Sequence, residues 1–257
     1  MATKHKAAEI LSERREIWAE KPIIRKLYKK WYGHIQQALR PGRTLELGGG
    51  SGNLSDFLPE AITSDIVYEP WLDAVMDAHA IPFKTESLDN IVLFDVLHHL
   101  AAPADFFHEV ERVLKPEGRA VLMEPYVSWV SFFVYRFLHR EGMRWEVNPF
   151  AVQHSAGKAP LDGNQAIPTL IFEKHRKEFT EYFPRLRIIQ DKKMDSFLYP
   201  LSGGFHQRSL CPRFLWKILD YAEGLFRPFS SYMAFRMFVV IERNSLNQGS
   251  GETISDL

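Results

Sequence analysis

The stretch that most constrains this 257-residue chain is Leu45-Glu46-Leu47-Gly48-Gly49-Gly50-Ser51-Gly52-Asn53, a short apolar run carrying a glutamate and then four glycines within five positions. Such a run reads as a buried strand opening into a turn where backbone approaches a ligand more closely than side chains would permit. The spacing restricts which ligand. A dinucleotide fingerprint wants Gly-x-Gly-x-x-Gly, but counted from Gly48 and Gly50 the third slot is Asn53, with Gly52 one place early. A phosphate loop needs a lysine after its last glycine, and no lysine lies between Arg43 and Lys84. Both phosphate readings weaken, and a plain tight turn stays open as the alternative.

Downstream, Ala61-Ile62-Thr63-Ser64-Asp65-Ile66 reads as a second strand ending in a carboxylate, with Glu69 in reserve. Asp77-Ala78-His79-Ala80-Ile81-Pro82-Phe83 follows after too few residues for a full helix, so that connection is shortened to about one turn. Leu88 to Phe94 is an apolar run of strand length that ends at Asp95, followed by Val96, Leu97, His98 and His99, and Pro103 then opens a helix. Leu114-Lys115-Pro116-Glu117-Gly118 stops that helix and leads into a strand over Ala120 to Pro125. In open α/β sheets ligands sit beyond the carboxyl ends of the strands, so these acidic tips should converge on one crevice.

Glu46-x-Gly48-x-Gly50-x-Gly52, the Asp77-Ala78-x-x-Ile81-Pro82-Phe83 stretch and the strand, helix and strand from Leu88 to Pro125 together resemble the class I S-adenosylmethionine-dependent methyltransferases. The resemblance implies an α/β fold: a three-layer, doubly wound, mostly parallel sheet, with N-terminal helices and lid insertions after strands 5 and 6. It implies S-adenosyl-L-methionine as cofactor. Glu46, Gly48, Gly49, Gly50 and Asn53 would surround its amino-acid end, Asp65 with Ile66 its ribose, Asp77 with Ala78 and His79 its adenine, and Asp95 and Val96 would complete the cradle. If the acceptor is a hydroxyl its proton needs a base; His98 or His99 are the candidates nearest the crevice, His154 and His206 more distant ones, and Tyr126 would steer the acceptor.

The zero net charge hides a segregation. Residues 1 to 43 hold 11 Lys/Arg against 4 Asp/Glu (net +7), residues 44 to 125 hold 4 against 15 (net −11), and the remainder 17 against 13 (net +4). An acidic middle suits a ligand bearing a sulfonium and an ammonium and repels the phosphates of a nucleic acid, although a solvated acidic face has the same sign. A single cysteine, Cys211, excludes an internal disulfide and any multi-cysteine metal site. No metal-ligand spacing is evident, since adjacent His98 and His99 cannot share one face. The charged start at Met1 to Glu9 has no apolar signal core and no long uncharged stretch follows, so a cytoplasmic chain without a spanning helix is expected.

Five regions follow: an N-terminal helical cover over 1–40, interrupted at Pro22; the cofactor-binding core over 41–125; a lid or substrate insertion over 126–184, with a helix from about Thr169 to Tyr182; remaining core strands with a helical insertion over 185–243; and a Ser-, Gly- and Asn-rich disordered tail over 244–257. The aromatics after Tyr126, interspersed with Arg136, His139, Arg140, Arg208, Arg213 and Arg227, suit a small-molecule or lipid-linked acceptor and allow peripheral membrane contact; a plain aromatic core under a lid is the competing reading. The function implied is methyl transfer to oxygen, nitrogen or carbon of such an acceptor. A nicotinamide-dependent oxidoreductase or epimerase on a similar sheet, and a cofactor-binding but catalytically silent partner subunit, are the alternatives.

Overall fold

The computed structural model describes residues 2–138, 142–151, 162–205 and 208–245. Helices α1 (Ala2–Glu20) and α2 (Pro22–Ala38) lead into a sheet of β1 (Thr44–Leu47), β2 (Ile62–Asp65), β3 (Ala74–Val75), β4 (Leu88–Phe94) and, after α3 (Pro103–Val113), β5 (Leu114–Pro125). Then follow α4 (Trp129–Leu138), α5 (Ile167–Thr169), α6 (Arg176–Tyr182), β6 (Leu186–Met194), α7 (Leu198–Ser202), α8 (Trp216–Leu225), α9 (Ser230–Met233) and β7 (Arg236–Arg243). The strands lie in the order β3-β2-β1-β4-β5-β7-β6, parallel except for β7, which runs antiparallel to both β5 and β6. This is the doubly wound, mostly parallel sheet that the apolar strand runs imply.

Alternation along each central strand divides the side chains between two cores. Leu45 and Leu47, Ile91 and Leu93, Ala120 and Leu122, and Val239 and Ile241 face α3 and α6, whose Phe106, Phe107, Val110 and Phe179 are fully buried against them. Val92 and Phe94, Val121 and Met123, and Phe238 and Val240 face α2, which contributes Leu27, Tyr28, Trp31 and Ile35. Pro22 occupies the first turn of α2, where its missing N–H goes unused.

Four local expectations change. The glycine turn opens only a single 3₁₀ turn, Asn53–Asp56, instead of a full helix. Residues 66–73 between β2 and β3 form no helix at all, and β3 itself is two residues long. β5 begins at Leu114, pairing with Leu88, and then slips so that Asn90 faces Arg119; Glu117 at φ 63° marks the irregularity. The helix expected from about Thr169 starts at Ile167, passes through a π turn at Leu170–Lys174 and ends at Tyr182. Leu170, Ile171, Phe172 and Phe179 are buried in the main core, so this segment is a helical layer packed on the sheet. The tail from 246 on, and His139, Arg140, His154 and His206, lie outside the described residues.

Candidate functional site

The glycine turn is shaped by its neighbours. Gly48, Gly50 and Gly52 all take positive φ (72°, 50° and 73°), the left-handed region that disfavours side chains. A Cβ on Gly48 would lie 2.3 Å from Val96 Cγ2, so strands β1 and β4 approach here at a distance only glycine allows. The Gly49 N–H donates to Ser64 O at 2.8 Å, and the Gly50 N–H donates to Asp65 Oδ2 at 3.0 Å. Asp65 Oδ1 also accepts from the Val67 N–H at 3.0 Å, so the carboxylate braces the turn with one bond to each oxygen. Burial pushes Asp65 up in pKa, while the N–H groups of Val67, Gly50 and Ile66 pull it down.

Helix α1 lies across this turn. Arg15 Nη1 donates to Ser51 O at 2.8 Å and its guanidinium sits 4.9 Å from the Trp71 ring centroid, while Trp71 Nε1 donates to Gly50 O at 2.9 Å. Leu11 Cδ2 is 3.4 Å from where a Cβ on Gly50 would stand.

Beneath the turn Glu46 is 2% exposed, and its Oε2 is buried with no hydrogen-bond partner among the described residues. Burial, reinforced by Asp65, pushes its pKa up to about 8. An unpartnered carboxyl oxygen costs the fold free energy, and it is a ready acceptor for an ammonium group entering beside the glycines. From the ordinary 4.5 to about 8, the native state holds the proton that the unfolded chain releases, so this group's stabilisation is complete below pH 4.5 and lost as pH rises through 8. Melting curves across that window should therefore fall more steeply with pH for the wild type than for Glu46→Gln, and parallel curves would show that Glu46 is not the group titrating.

At the rim, Asp77 Oδ1 accepts from the His79 N–H at 2.9 Å and faces His79 Nδ1 at 2.6 Å, and His79 Nε2 accepts from the Ala102 N–H at 3.2 Å. These contacts fix the tautomer, with the proton on Nδ1, and tie the end of β3 to the loop after β4. Ala78 is buried in the main core and Ile66 is exposed beside Asp65. Asn53 is buried at the start of the 3₁₀ turn.

The floor is built from the ends of β4, β5 and β7. Asp95 takes φ 58°, tolerable for an aspartate and uncommon for most other residues, and its Oδ1 pairs with Arg236 Nη1 at 2.6 Å. Arg236 is fully buried, its guanidinium 4.8, 5.2 and 5.4 Å from the rings of Trp31, Phe94 and Tyr199. Glu124 is buried as well. Its Oε1 accepts from the Val96 and Leu97 N–H groups at 2.9 and 2.8 Å, and its Oε2 lies 2.8 Å from His98 Nδ1. A carboxylate only accepts, so His98 carries its proton on Nδ1 and presents Nε2 as the acceptor nitrogen. Asn164 donates its N–H to His98 O at 2.9 Å and brackets Arg144 with two further bonds, holding the segment after residue 142 to this floor. The His99 ring lies 4.1 Å from that of His98.

Glu46, Asp65, Asp95, His98 and Glu124 thus gather at the carboxyl ends of β1, β2, β4 and β5, under α1 and the aromatic face of α2. Tyr126 does not join them. Its hydroxyl donates to Ser231 O at 3.2 Å, Lys193 stands 5.5 Å from its ring, and burial with Glu173 and Asp191 pushes its pKa up to about 12. Ligand atoms of Asp95, His98 and Glu124 lie within 4.8 Å of one another, the spacing of a metal site. Both Glu124 oxygens already answer to N–H donors and Arg236 brings its own positive charge beside Asp95, so the cluster fits a positioning role better than a cation. Arg236, Asn164, Trp31 and Tyr28 are not legible as site residues; the one signal is Arg236 standing at the head of the apolar run Met237 to Ile241.

Comparison with known proteins agrees with this fold. The family model described as a methyltransferase domain matches residues 45–122, from β1 through the centre of β5. A 37.1 kDa protein of transposon TN4556 from Streptomyces fradiae is 30% identical over 100 residues, which is 37% of this chain and spans only 29% of that protein. Among solved structures, a S-adenosylmethionine-dependent methyltransferase from Archaeoglobus fulgidus superposes with a TM-score of 0.52 at 14% identity, covering 86% of this chain and 94% of that one. A methyltransferase from Haloferax volcanii, solved with the Trm112 activator, gives 0.51 at 14% identity over 95% and 98%. Residues 45–122 thus match a methyltransferase domain, and the sheet has the fold of S-adenosylmethionine-dependent methyltransferases. The oxidoreductase reading, already weakened by Asn53 in the third glycine slot, has no counterpart in these matches.

Proposed function

We propose that the protein is an enzyme that transfers the methyl group of S-adenosylmethionine to a small or lipid-linked acceptor, with a hydroxyl as the acceptor group that the site serves best. The observation that carries this reading is the buried, unpartnered Glu46 oxygen under a turn whose glycines admit no side chain. That combination fits a ligand with a cationic amino-acid end. Asp65, with one bond on each oxygen, keeps lone pairs for two ribose hydroxyls. Asp77 would accept from the adenine amine, with Ala78 beside the ring.

The cofactor supplies a methyl group already attached to a good leaving group, so the chain's task is orientation, exclusion of water and proton acceptance. His98 performs the last. Glu124 accepts the Nδ1 proton, which leaves Nε2 as the nitrogen to take the proton of an acceptor hydroxyl. Burial of both side chains keeps bulk water from that proton.

Titration calorimetry with S-adenosylhomocysteine tests the first half. Wild type should bind, Asp77→Ala should weaken binding about tenfold, from loss of one hydrogen-bond acceptor, and Gly50→Val should abolish it at unchanged circular dichroism. Folded wild-type protein with no heat of binding would end the reading. Incubation with methyl-labelled cofactor and fractionated lysate tests the second half, label in a lipid or metabolite fraction being expected and label in RNA contradicting it.

A further inference from the structure

We propose that α4 together with α8 and α9 forms a docking face for an anionic phospholipid membrane surface. On α4, Trp129, Phe133 and Phe137 repeat every four residues and are 75%, 57% and 73% exposed. Along the turn before α8 and through it, Phe214, Ile218, Tyr221 and Leu225 recur at helical spacing, all more than 60% exposed, whereas Trp216 on the opposite side is buried. The stripe is inverted relative to a helix that packs on its own core. α9 packs against α4, and the turn Arg227–Phe229 packs against both α8 and α9, so the two stripes belong to one surface, with Tyr232 and Phe229 between them. Isolated exposed apolar residues need no explanation, but a surface of this size does.

Charge identifies the occupant. Arg136, Lys217 and Arg227 are exposed on these elements. The acids there are engaged elsewhere: Asp220 pairs with Lys30 at 2.8 Å, and Glu223 accepts from the N–H groups of Ser196, Phe197 and Leu198. Lys26 lies 4.6 Å from the Trp216 ring and extends the basic flank onto α2. Exposed aromatics ringed by uncompensated cations match the boundary between acyl chains and anionic headgroups, where Trp and Tyr settle and Lys and Arg reach outward. Among the described residues no helix is long and apolar enough to cross a membrane, so the contact is peripheral. The face shares no residue with the crevice.

The test is sedimentation of the full chain with vesicles of phosphatidylcholine, alone or mixed with phosphatidylserine. Binding to the mixed vesicles is expected, with little to phosphatidylcholine alone, and it should fall as salt is raised. Phe133→Ser/Ile218→Ser/Tyr221→Ser and, separately, Lys217→Glu/Arg227→Glu should each lower binding about tenfold or more, with S-adenosylhomocysteine affinity unchanged as the check that both variants fold. Equal binding to both vesicle types, wild-type binding by either variant, or no binding at all would overturn the proposal. So would self-association in analytical ultracentrifugation that the triple variant abolishes, since a second copy of the chain would then cover the face.

Discussion

Gly48→Ala is expected to lower the unfolding free energy by about 2–5 kcal/mol and to abolish cofactor binding. Two costs combine. The left-handed conformation at φ 72° penalises any Cβ, and the new methyl would stand 2.3 Å from Val96 Cγ2. Val96 has no easy retreat: its branched side chain is stiff about χ1, and its N–H is held by Glu124. Denaturant titration measures the loss. The double variant Gly48→Ala/Val96→Ala should recover the steric part, leaving the backbone part of about 1–2 kcal/mol. No recovery would mean that the close approach of β1 and β4 is not what excludes a side chain here.

The second large effect separates structure from chemistry at Glu124. Glu124→Ala removes the acceptor for the Val96 and Leu97 N–H groups and for His98, all in the dry floor of the site, and should cost about 3–5 kcal/mol, or roughly 10 °C in Tm. Glu124→Gln should be far milder in stability, because its amide oxygen can take over both backbone donors. Its NH₂ would then face His98 Nδ1, forcing the imidazole proton to Nε2 and leaving no acceptor toward the crevice. Methyl transfer to a hydroxyl should fall by about 10²–10⁴ with S-adenosylhomocysteine affinity intact. Full activity in the glutamine variant would remove His98 from the role of base.

What could be read from the residues alone follows contact distance along the chain. Parallel strands buried on both faces are unbroken apolar runs, so β1, β4 and β5 are visible, and their carboxylate tips mark the crevice. The turn's identity rests on spacing within a few residues, where sequence is most informative. Other features depend on partners far away. The segment from Ile167 to Tyr182 has the aromatic richness of a cover, and only its packing against α3 shows that it is a core layer. Tyr126 follows directly on β5, but a phenol's direction is decided by Ser231 and Lys193, which no local pattern announces. The missing helix after the glycines has a cause of its own: α1 and Trp71 already occupy the outer side of that turn.

Asp95 and Arg236 are 141 positions apart in sequence, yet each supplies the other's counter-charge. A nascent chain that has delivered the whole glycine turn and β4 still lacks the cation that neutralises Asp95, and β7 must insert between β5 and β6 before it arrives. Ligand capture therefore has to wait until β7 has been delivered. Chains released early by the ribosome would expose a bare carboxylate and an unpaired β5 edge to the quality-control machinery.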